Sequence, residues 1–200
     1  MIQLKGYSSK TYLTRVKNRR YIIKKTTSDE FKMLLIAYKL NITAKPVFFD
    51  KKLSIMAYEY IDGIFKEKLS FKEIKKVANL LKKLHSLKSK KRGFVLCHQD
   101  LNPKNIIFEK EPKLIDWEYA DFNDRYFDLA SFVVEFHLNK KEEKFFLKAY
   151  FKNRHEINHK KLSFFKQSYT KLCIKWFKQR GYLREKAEYQ KKFNRRYFLN

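Results

Sequence analysis

The chain has 200 residues, with 47 Lys and Arg against 21 Asp and Glu, a net charge of +26. Its 44% hydrophobic and 17% aromatic content excludes a disordered chain, and the length allows one large domain or two small lobes around a real core. Such a charge points first to nucleic acid or an anionic surface, but 37 of the cations are Lys and only 10 are Arg. Arg is the better residue for bidentate phosphate and base recognition. Abundant Lys, Asn, Ile, Phe and Tyr with little Gly and Pro is also what A+T-rich codons produce. The expectation is no dedicated nucleic-acid partner and at most a weak contact with an anionic surface. Cys97 and Cys173 form no CxxC pair, and Met1–Leu4 open without a signal-peptide pattern. No apolar run reaches the roughly 18 residues of a membrane span. A cytoplasmic protein without membrane insertion is therefore expected.

Gly6-Tyr7-Ser8-Ser9 reads as a turn. Tyr12–Val16, the turn Lys17–Arg20 and Tyr21–Lys24 read as a β-hairpin. Ser28-Asp29-Glu30 opens a helix with Phe31, Leu34, Leu35 and Tyr38 at helical spacing. Strands follow at Val47–Phe49 and Ile55–Tyr58, and Ile61-Asp62-Gly63 breaks the pattern. Ser70-Phe71-Lys72-Glu73 is a capping box opening a helix with Phe71, Ile74, Val77, Ala78, Leu81 and Leu84 on one face. From about residue 129 onward the pattern is helical, with Gly181 as a break. The expected architecture is α+β, with a small β-rich lobe over residues 1–60 and a larger helical lobe over 61–200.

Charge is unevenly spread. Residues 98–128 hold eight acids and four bases, a net −4 against +30 for the rest of the chain. Within this island, Phe94–Asn105 reads as a loop feeding a short hairpin, Ile106–Phe108 and Lys113–Asp116. A turn at Lys110-Glu111 pairs residues whose numbers sum to 221, which sets Asn105 opposite Asp116 across strands about 4.8 Å apart. Both are hard oxygen ligands suited to Mg²⁺. Asp100 precedes Asn105 by five residues on the loop entering the same end. A carboxylate that takes a hydroxyl proton, with an Asn and an Asp on the metal, is what phosphoryl transfer requires. His98-x-Asp100, with Asn at +5 and Asp at +16 from Asp100, follows the kinase catalytic-loop order. Alternation aims Glu118 to the same side as Asp116.

His98-Gln-Asp-Leu-Asn-Pro-Lys-Asn105 with Ile115-Asp-Trp-Glu-Tyr119 resembles the choline/ethanolamine kinase family, within the aminoglycoside-phosphotransferase-like small-molecule kinases. The resemblance covers most of residues 4–136. It implies a protein-kinase-like two-lobed fold with a nucleotide cleft between the lobes, ATP and Mg²⁺ as cofactors, and a small cationic alcohol as acceptor. It makes Leu4–Tyr12 a phosphate-binding loop with Ser8 and Ser9, and Lys24 the nucleotide-binding base with Glu30 as its helix partner. The neighbouring Lys25 leaves that register open. The resemblance makes Glu59, Tyr60 and Ile61 part of the interlobe hinge, against the nucleotide. Asp100 is the catalytic base, and Asn105, Asp116 and Glu118 form the metal set. The resemblance also implies structural support from His98 and Asp128, and a substrate-facing place for Asn102, Tyr119, Glu135 and Trp176. Cys173 stands where the family places the first Trp of an aromatic pair ending at Trp176. The resemblance implies choline first and ethanolamine next as acceptor, then thiamine or an aminoglycoside. The short Leu87–Phe94 segment keeps a second class open, a non-catalytic nucleic-acid-binding derivative of the fold.

Overall fold

Period-two alternation in the first 60 residues builds an antiparallel sheet. The structure, a computed structural model, describes residues 1–4 and 10–197, the last six of them by backbone only. The Gly6–Ser9 turn, with Ser8 and Ser9, lies outside the described residues. The strands are β1 (Ile2–Leu4), β2 (Thr11–Val16), β3 (Arg19–Lys25), β4 (Pro46–Asp50) and β5 (Ile55–Glu59), in the order β1-β2-β3-β5-β4. On β3 the pleat sends Ile22 and Lys24 into the interior and leaves Lys25 exposed. Helix α1 (Ser28–Lys39) starts one residue after Thr27, whose hydroxyl accepts the Glu30 N–H at 3.2 Å.

Past Gly63 the chain becomes mostly helical. Helix α2 (Phe71–Leu84) has the predicted capping box with both halves made, and it buries Ile74, Val77, Ala78, Leu81 and Leu84. Strand β6 (Phe94–Cys97), where a loop was expected, pairs with the unpredicted β9 (Asp121–Asp124). Between them sits the hairpin of β7 (Ile106–Phe108) and β8 (Pro112–Leu114). Helix α3 (Arg125–Glu135) begins four residues earlier than its pattern suggests because Asp124 caps it, accepting the Tyr126 N–H. Every residue from Asp128 to Glu135 is buried, the apolar ones in the core and Asp128, Ser131 and Glu135 as buried polar groups. Helices α4 (Lys140–Tyr150), α5 (His159–Gln179) and α6 (Leu183–Tyr197) complete the fold, and Gly181, at φ +75°, separates the last two. No helix among the described residues is long and apolar enough to cross a membrane.

The segment between sheet and helices passes very close to the hairpin. A Cβ built on Gly63 would lie 2.5 Å from Ile107 Cγ2 and 2.7 Å from the Phe108 carbonyl oxygen. Only glycine lets Ile64 exchange both backbone hydrogen bonds with Phe108.

The hairpin register corrects one expectation. Ile106 pairs with Leu114 and Phe108 with Pro112, so paired numbers sum to 220 rather than 221. Asn105 therefore meets Ile115, whose N–H donates to the Asn105 carbonyl at 3.0 Å. A three-residue turn replaces the two-residue one because Pro112 already belongs to β8.

Candidate active site

Asp116 leaves the strand in the left-handed region, at φ 68°. For a residue with a Cβ this costs about 1 kcal/mol or more and persists only where surrounding contacts enforce it. The turn re-aims the side chain that strand alternation would have sent elsewhere. Its carboxylate meets the ammonium of Lys24 from β3, which also donates to Glu30 of α1 at 2.7 Å. The expected Lys24–Glu30 pair is thus made, and pleating decides between Lys24 and Lys25. Glu30 is held further by the Thr26 hydroxyl.

Burial works against the charge of Lys24, but the Asp116 and Glu30 carboxylates outweigh it and raise its pKa above the ordinary lysine value. Burial raises the pKa of Glu30, and Lys24 offsets this only in part.

Asp100 follows β6 on a loop with its own left-handed residue, Gln99, at φ 67°. Asn102 Nδ2 donates to its Oδ1 at 3.0 Å, and Asn105 Nδ2 donates to its Oδ2 at 2.7 Å and to its carbonyl at 3.0 Å. Burial, with the nearby Glu135 and Asp116 charges, pushes the Asp100 carboxyl up to about 7 against the opposing Asn102 and Asn105 hydrogen bonds. A carboxylate poised near neutrality is suited to proton transfer. Asn102 thus touches Asp100, and its own Oδ1 caps the Lys104 N–H at 2.9 Å.

Asn105 is 5% exposed, and its amide nitrogen is taken up by Asp100. Its Oδ1 accepts no hydrogen bond among the described residues. A buried carbonyl oxygen without a donor is costly unless something electropositive meets it. It and the carboxylate of Asp116 are both hard-oxygen donors, the kind of ligand that Mg²⁺ takes. Glu118 is placed differently from the alternation expected. It lies in the Trp117–Ala120 turn, closed by the Ala120 N–H on the Trp117 carbonyl, so no pleat aims it beside Asp116.

The loop is braced from below. Asp128, fully buried on α3, accepts the N–H groups of His98 and Gln99 at 2.8 Å each and contacts His85 Nε2 at 3.1 Å. His98 Nδ1 accepts the Asp100 N–H at 3.3 Å, which leaves Nε2–H to donate to the Ile115 carbonyl at 3.0 Å. Burial lowers the pKa of His98 and favours this neutral form. His85 was visible in the sequence only as a helix-end residue. Its contact with Asp128, and that of Nδ1 with the Tyr150 hydroxyl at 2.8 Å, depend on the tertiary fold.

Glu135, at the end of α3, is 6% exposed and accepts the hydroxyls of Tyr169, at 2.9 Å, and Tyr189. Burial, and next the Glu135 charge, raise the pKa of both phenols and keep them as donors. Trp176 Nε1–H donates to the Tyr119 hydroxyl at 3.2 Å, and the Arg180 guanidinium lies 4.0 Å over the Trp176 ring. Tyr182 stacks nearly parallel to the same ring at 6.3 Å. Burial raises the pKa of the Tyr119 phenol against the opposing Trp176 hydrogen bond, and the charges of Glu118 and Asp100 add to the rise. At the hinge, the Tyr60 N–H donates to the Arg20 carbonyl, the Arg20 guanidinium covers the Tyr60 ring at 4.5 Å, and Glu59 pairs with Arg19 and Lys45. Ile61 packs against the core.

Residues 18–193 match the family model described as choline/ethanolamine kinase. Over 55 residues the chain is 42% identical to protein LicA of Haemophilus influenzae, a match spanning 27% of this chain and 21% of that protein. Over 43 residues it is 46% identical to a probable ethanolamine kinase B of Dictyostelium discoideum, spanning 20% of this chain and 10% of that protein. These matches thus span only 21% and 10% of the two curated relatives' length. The crystal structure of choline kinase LicA from Streptococcus pneumoniae superposes with a TM-score of 0.81 at 21% identity, covering 96% of this chain and 92% of that one. At that identity the likeness shows the shared kinase-like fold.

Proposed function

The chain belongs to the choline/ethanolamine kinase family, and on that premise we propose that it transfers the γ-phosphoryl group of ATP to the hydroxyl of choline or ethanolamine. The observation that carries the proposal is that Asp116, whose charge acts on the Asn105-bound Asp100, meets Lys24 of the sheet, itself paired with Glu30 of α1. In that reading residues 1–60 form the nucleotide lobe and 61–200 the catalytic and substrate lobe. The nucleotide sits between them against Glu59, Tyr60 and Ile61.

Asn105 and Asp116 would hold Mg²⁺, with Glu118 on the adjoining turn, and the bound ion neutralises phosphate charge. Lys24, kept cationic by Glu30 and Asp116, binds phosphate oxygens. Asp100 accepts the acceptor's hydroxyl proton as its oxygen attacks the γ-phosphorus, and ADP leaves carrying the electron pair of the broken P–O bond. Asn102 orients the Asp100 carboxylate. His98 and Asp128 hold the loop in its left-handed turn. Glu135 supplies a negative charge, and Tyr119 and Trp176 supply aromatic surface, for the cationic end of the acceptor. The partners are therefore nucleotide and a small cationic alcohol in the cytoplasm, with any contact to anionic surfaces a weak one.

The test is ADP release by the purified protein with choline, ethanolamine, thiamine or an aminoglycoside as acceptor. Release that needs Mg²⁺ and one of the first two supports the assignment. Release with only thiamine or an aminoglycoside moves the substrate class. No acceptor-dependent release, together with no stabilisation by Mg²⁺ and ATP, overturns it.

A further inference from the structure

The metal-loop residue Asp116 stands in a left-handed conformation that its Cβ opposes. Something must hold it there, and one polar atom touches both sides of it. Thr43, 4% exposed, lies on the connection between α1 and β4, 73 residues upstream of Asp116 in the sequence. Its hydroxyl donates to the Leu114 carbonyl at 2.7 Å and accepts the indole N–H of Trp117 at 3.0 Å. Leu114 is two residues before Asp116, and Trp117 is the next residue after it. One hydroxyl thus clamps the peptide entering the turn and the side chain leaving it.

The surroundings make Thr43 a built joint rather than a chance contact. The Leu114 N–H donates to the Ile42 carbonyl at 2.8 Å. Lys113 Nζ donates to the carbonyl and side-chain oxygen of Asn41 at 2.8 and 2.6 Å. Residues 41–43, in the sheet-bearing half of the molecule, therefore dock on β8 through one backbone hydrogen bond and the side chains of Lys113 and Thr43. Trp117 is 1% exposed, and the His98 ring meets it edge-on, with centroids 4.7 Å apart. His98 in turn holds the Ile115 carbonyl. Each residue from Leu114 to Trp117 except Asp116 is thus gripped by a buried group, and Asp116 is left to point at Lys24.

We propose that Thr43 is a positioning residue for phosphoryl transfer: its hydroxyl, through Leu114 and Trp117, holds Asp116 in its left-handed turn and couples the α1–β4 connection to the metal loop. This rests on the functional reading given above. Thr43 touches no reacting atom, so its effect is on how well Asp116 is presented. The hydroxyl both donates and accepts at a buried position, so its removal orphans two buried partners at once.

The test compares Thr43→Val, which keeps the shape and removes the hydroxyl, with Thr43→Ser, which keeps the hydroxyl. Thr43→Val is expected to raise the Mg²⁺ concentration for half-maximal activity about tenfold and to lower kcat, with KM for the acceptor changed less than threefold. Thr43→Ser is expected to stay within about threefold of wild type on every constant. Trp117→Phe removes the N–H that Thr43 accepts together with part of the buried ring, and is expected to shift the Mg²⁺ requirement the same way. It serves in place of Thr43→Val if that variant fails to fold. A readout independent of turnover is calorimetric binding of Mg²⁺ with a non-hydrolysable ATP analogue, expected to weaken about tenfold in Thr43→Val and not in Thr43→Ser. The indole N–H resonance missing from Trp117→Phe identifies Trp117, and it is expected to move upfield in Thr43→Val. If Thr43→Val or its substitute lowers Tm but leaves kcat, the Mg²⁺ requirement and analogue binding at wild-type values well below Tm, Thr43 is only structural and the proposal is wrong. If wild type neither turns over nor binds the analogue, it is the kinase reading that fails.

Discussion

Asn105 donates its amide to both the carboxylate and the carbonyl of Asp100, at 2.7 and 3.0 Å. One residue thereby fixes the proposed base and turns its own oxygen toward the proposed metal position. The two roles depend on each other, because the amide can present Oδ1 in one direction only while Nδ2 is held in the other. Asp100→Asn keeps the volume but places an amide where Asn102 and Asn105 need an acceptor, and it removes the proton acceptor. It is expected to lower kcat by at least about 10³-fold, in line with loss of a positioned general base, while nucleotide affinity changes by less than about fivefold. Steady-state kinetics with calorimetric nucleotide binding check both halves. A kcat within tenfold of wild type would remove Asp100 from the role of base.

The Lys24–Glu30 pair is almost fully buried, with side chains 4% and 3% exposed. Breaking a buried pair from one side leaves an uncompensated charge, at a cost of about 3–5 kcal/mol. Lys24→Met is therefore expected to abolish nucleotide binding and lower Tm sharply. Lys24→Met with Glu30→Leu removes the two buried charges, leaves only the more solvated Asp116 without its cation, and is expected to recover most of the lost stability while remaining inactive. Chemical denaturation of the two variants checks this. A double variant no more stable than the single one would show that the pair is not the source of the loss.

Much of the fold was legible because local rules and tertiary structure agree. The capping box at Ser70 and Glu73, the β2–β3 hairpin and the apolar face of α2 each need only neighbours in sequence. Asp100, Asn105 and Asp116 were legible as a spacing. The one-residue error in hairpin register came from treating Pro112 as turn when it is strand, and with a strict pleat that error would have put Asp116 on the wrong side. The left-handed turn at Asp116 restores its aim, and nothing in Ile-Asp-Trp-Glu announces it, since no glycine marks the position. Strand β9, Asp-Phe-Asn-Asp, has little strand propensity and exists because β6 offers it a partner. Thr43 and His85 carry no spacing signal. Each acts across more than 40 residues of chain.

Glu135 gathers the hydroxyls of Tyr169 and Tyr189 on a buried carboxylate that acts electrostatically on Asp100. Glu135→Gln keeps an acceptor for the phenols but removes the charge. If that charge attracts the cationic acceptor, KM for choline or ethanolamine is expected to rise about tenfold or more, with KM for ATP within about twofold. Kinetics at varied acceptor and fixed ATP decide it. Equal changes in both constants would assign Glu135 to general structure instead.

Glu73 tests the fold where no catalytic group intervenes. It closes the capping box of α2, accepting the Ser70 N–H at 2.8 Å and the Ser70 hydroxyl at 2.7 Å, and it pairs with Lys66. Partial burial disfavours its charge, but the hydrogen bonds from Lys66 and Ser70 outweigh this and hold the carboxyl at about 2. A carboxylate whose pKa is lower in the folded than in the unfolded chain binds fewer protons when folded. Its contribution is therefore complete above the unfolded value near 4.3 and is lost as pH falls toward about 2. Glu73→Gln leaves one neutral acceptor for the Ser70 N–H and removes the charge. At pH 7 it is expected to cost about 1 kcal/mol, the scale of a lost helix cap, since Lys66 is partly solvated and its pairing is screened. Urea denaturation of both proteins at pH 7, 5 and 3.5 should show the same gap at the first two values and a smaller gap at the third. A gap that stays constant to pH 3.5 would show that the Glu73 charge contributes nothing beyond the cap itself.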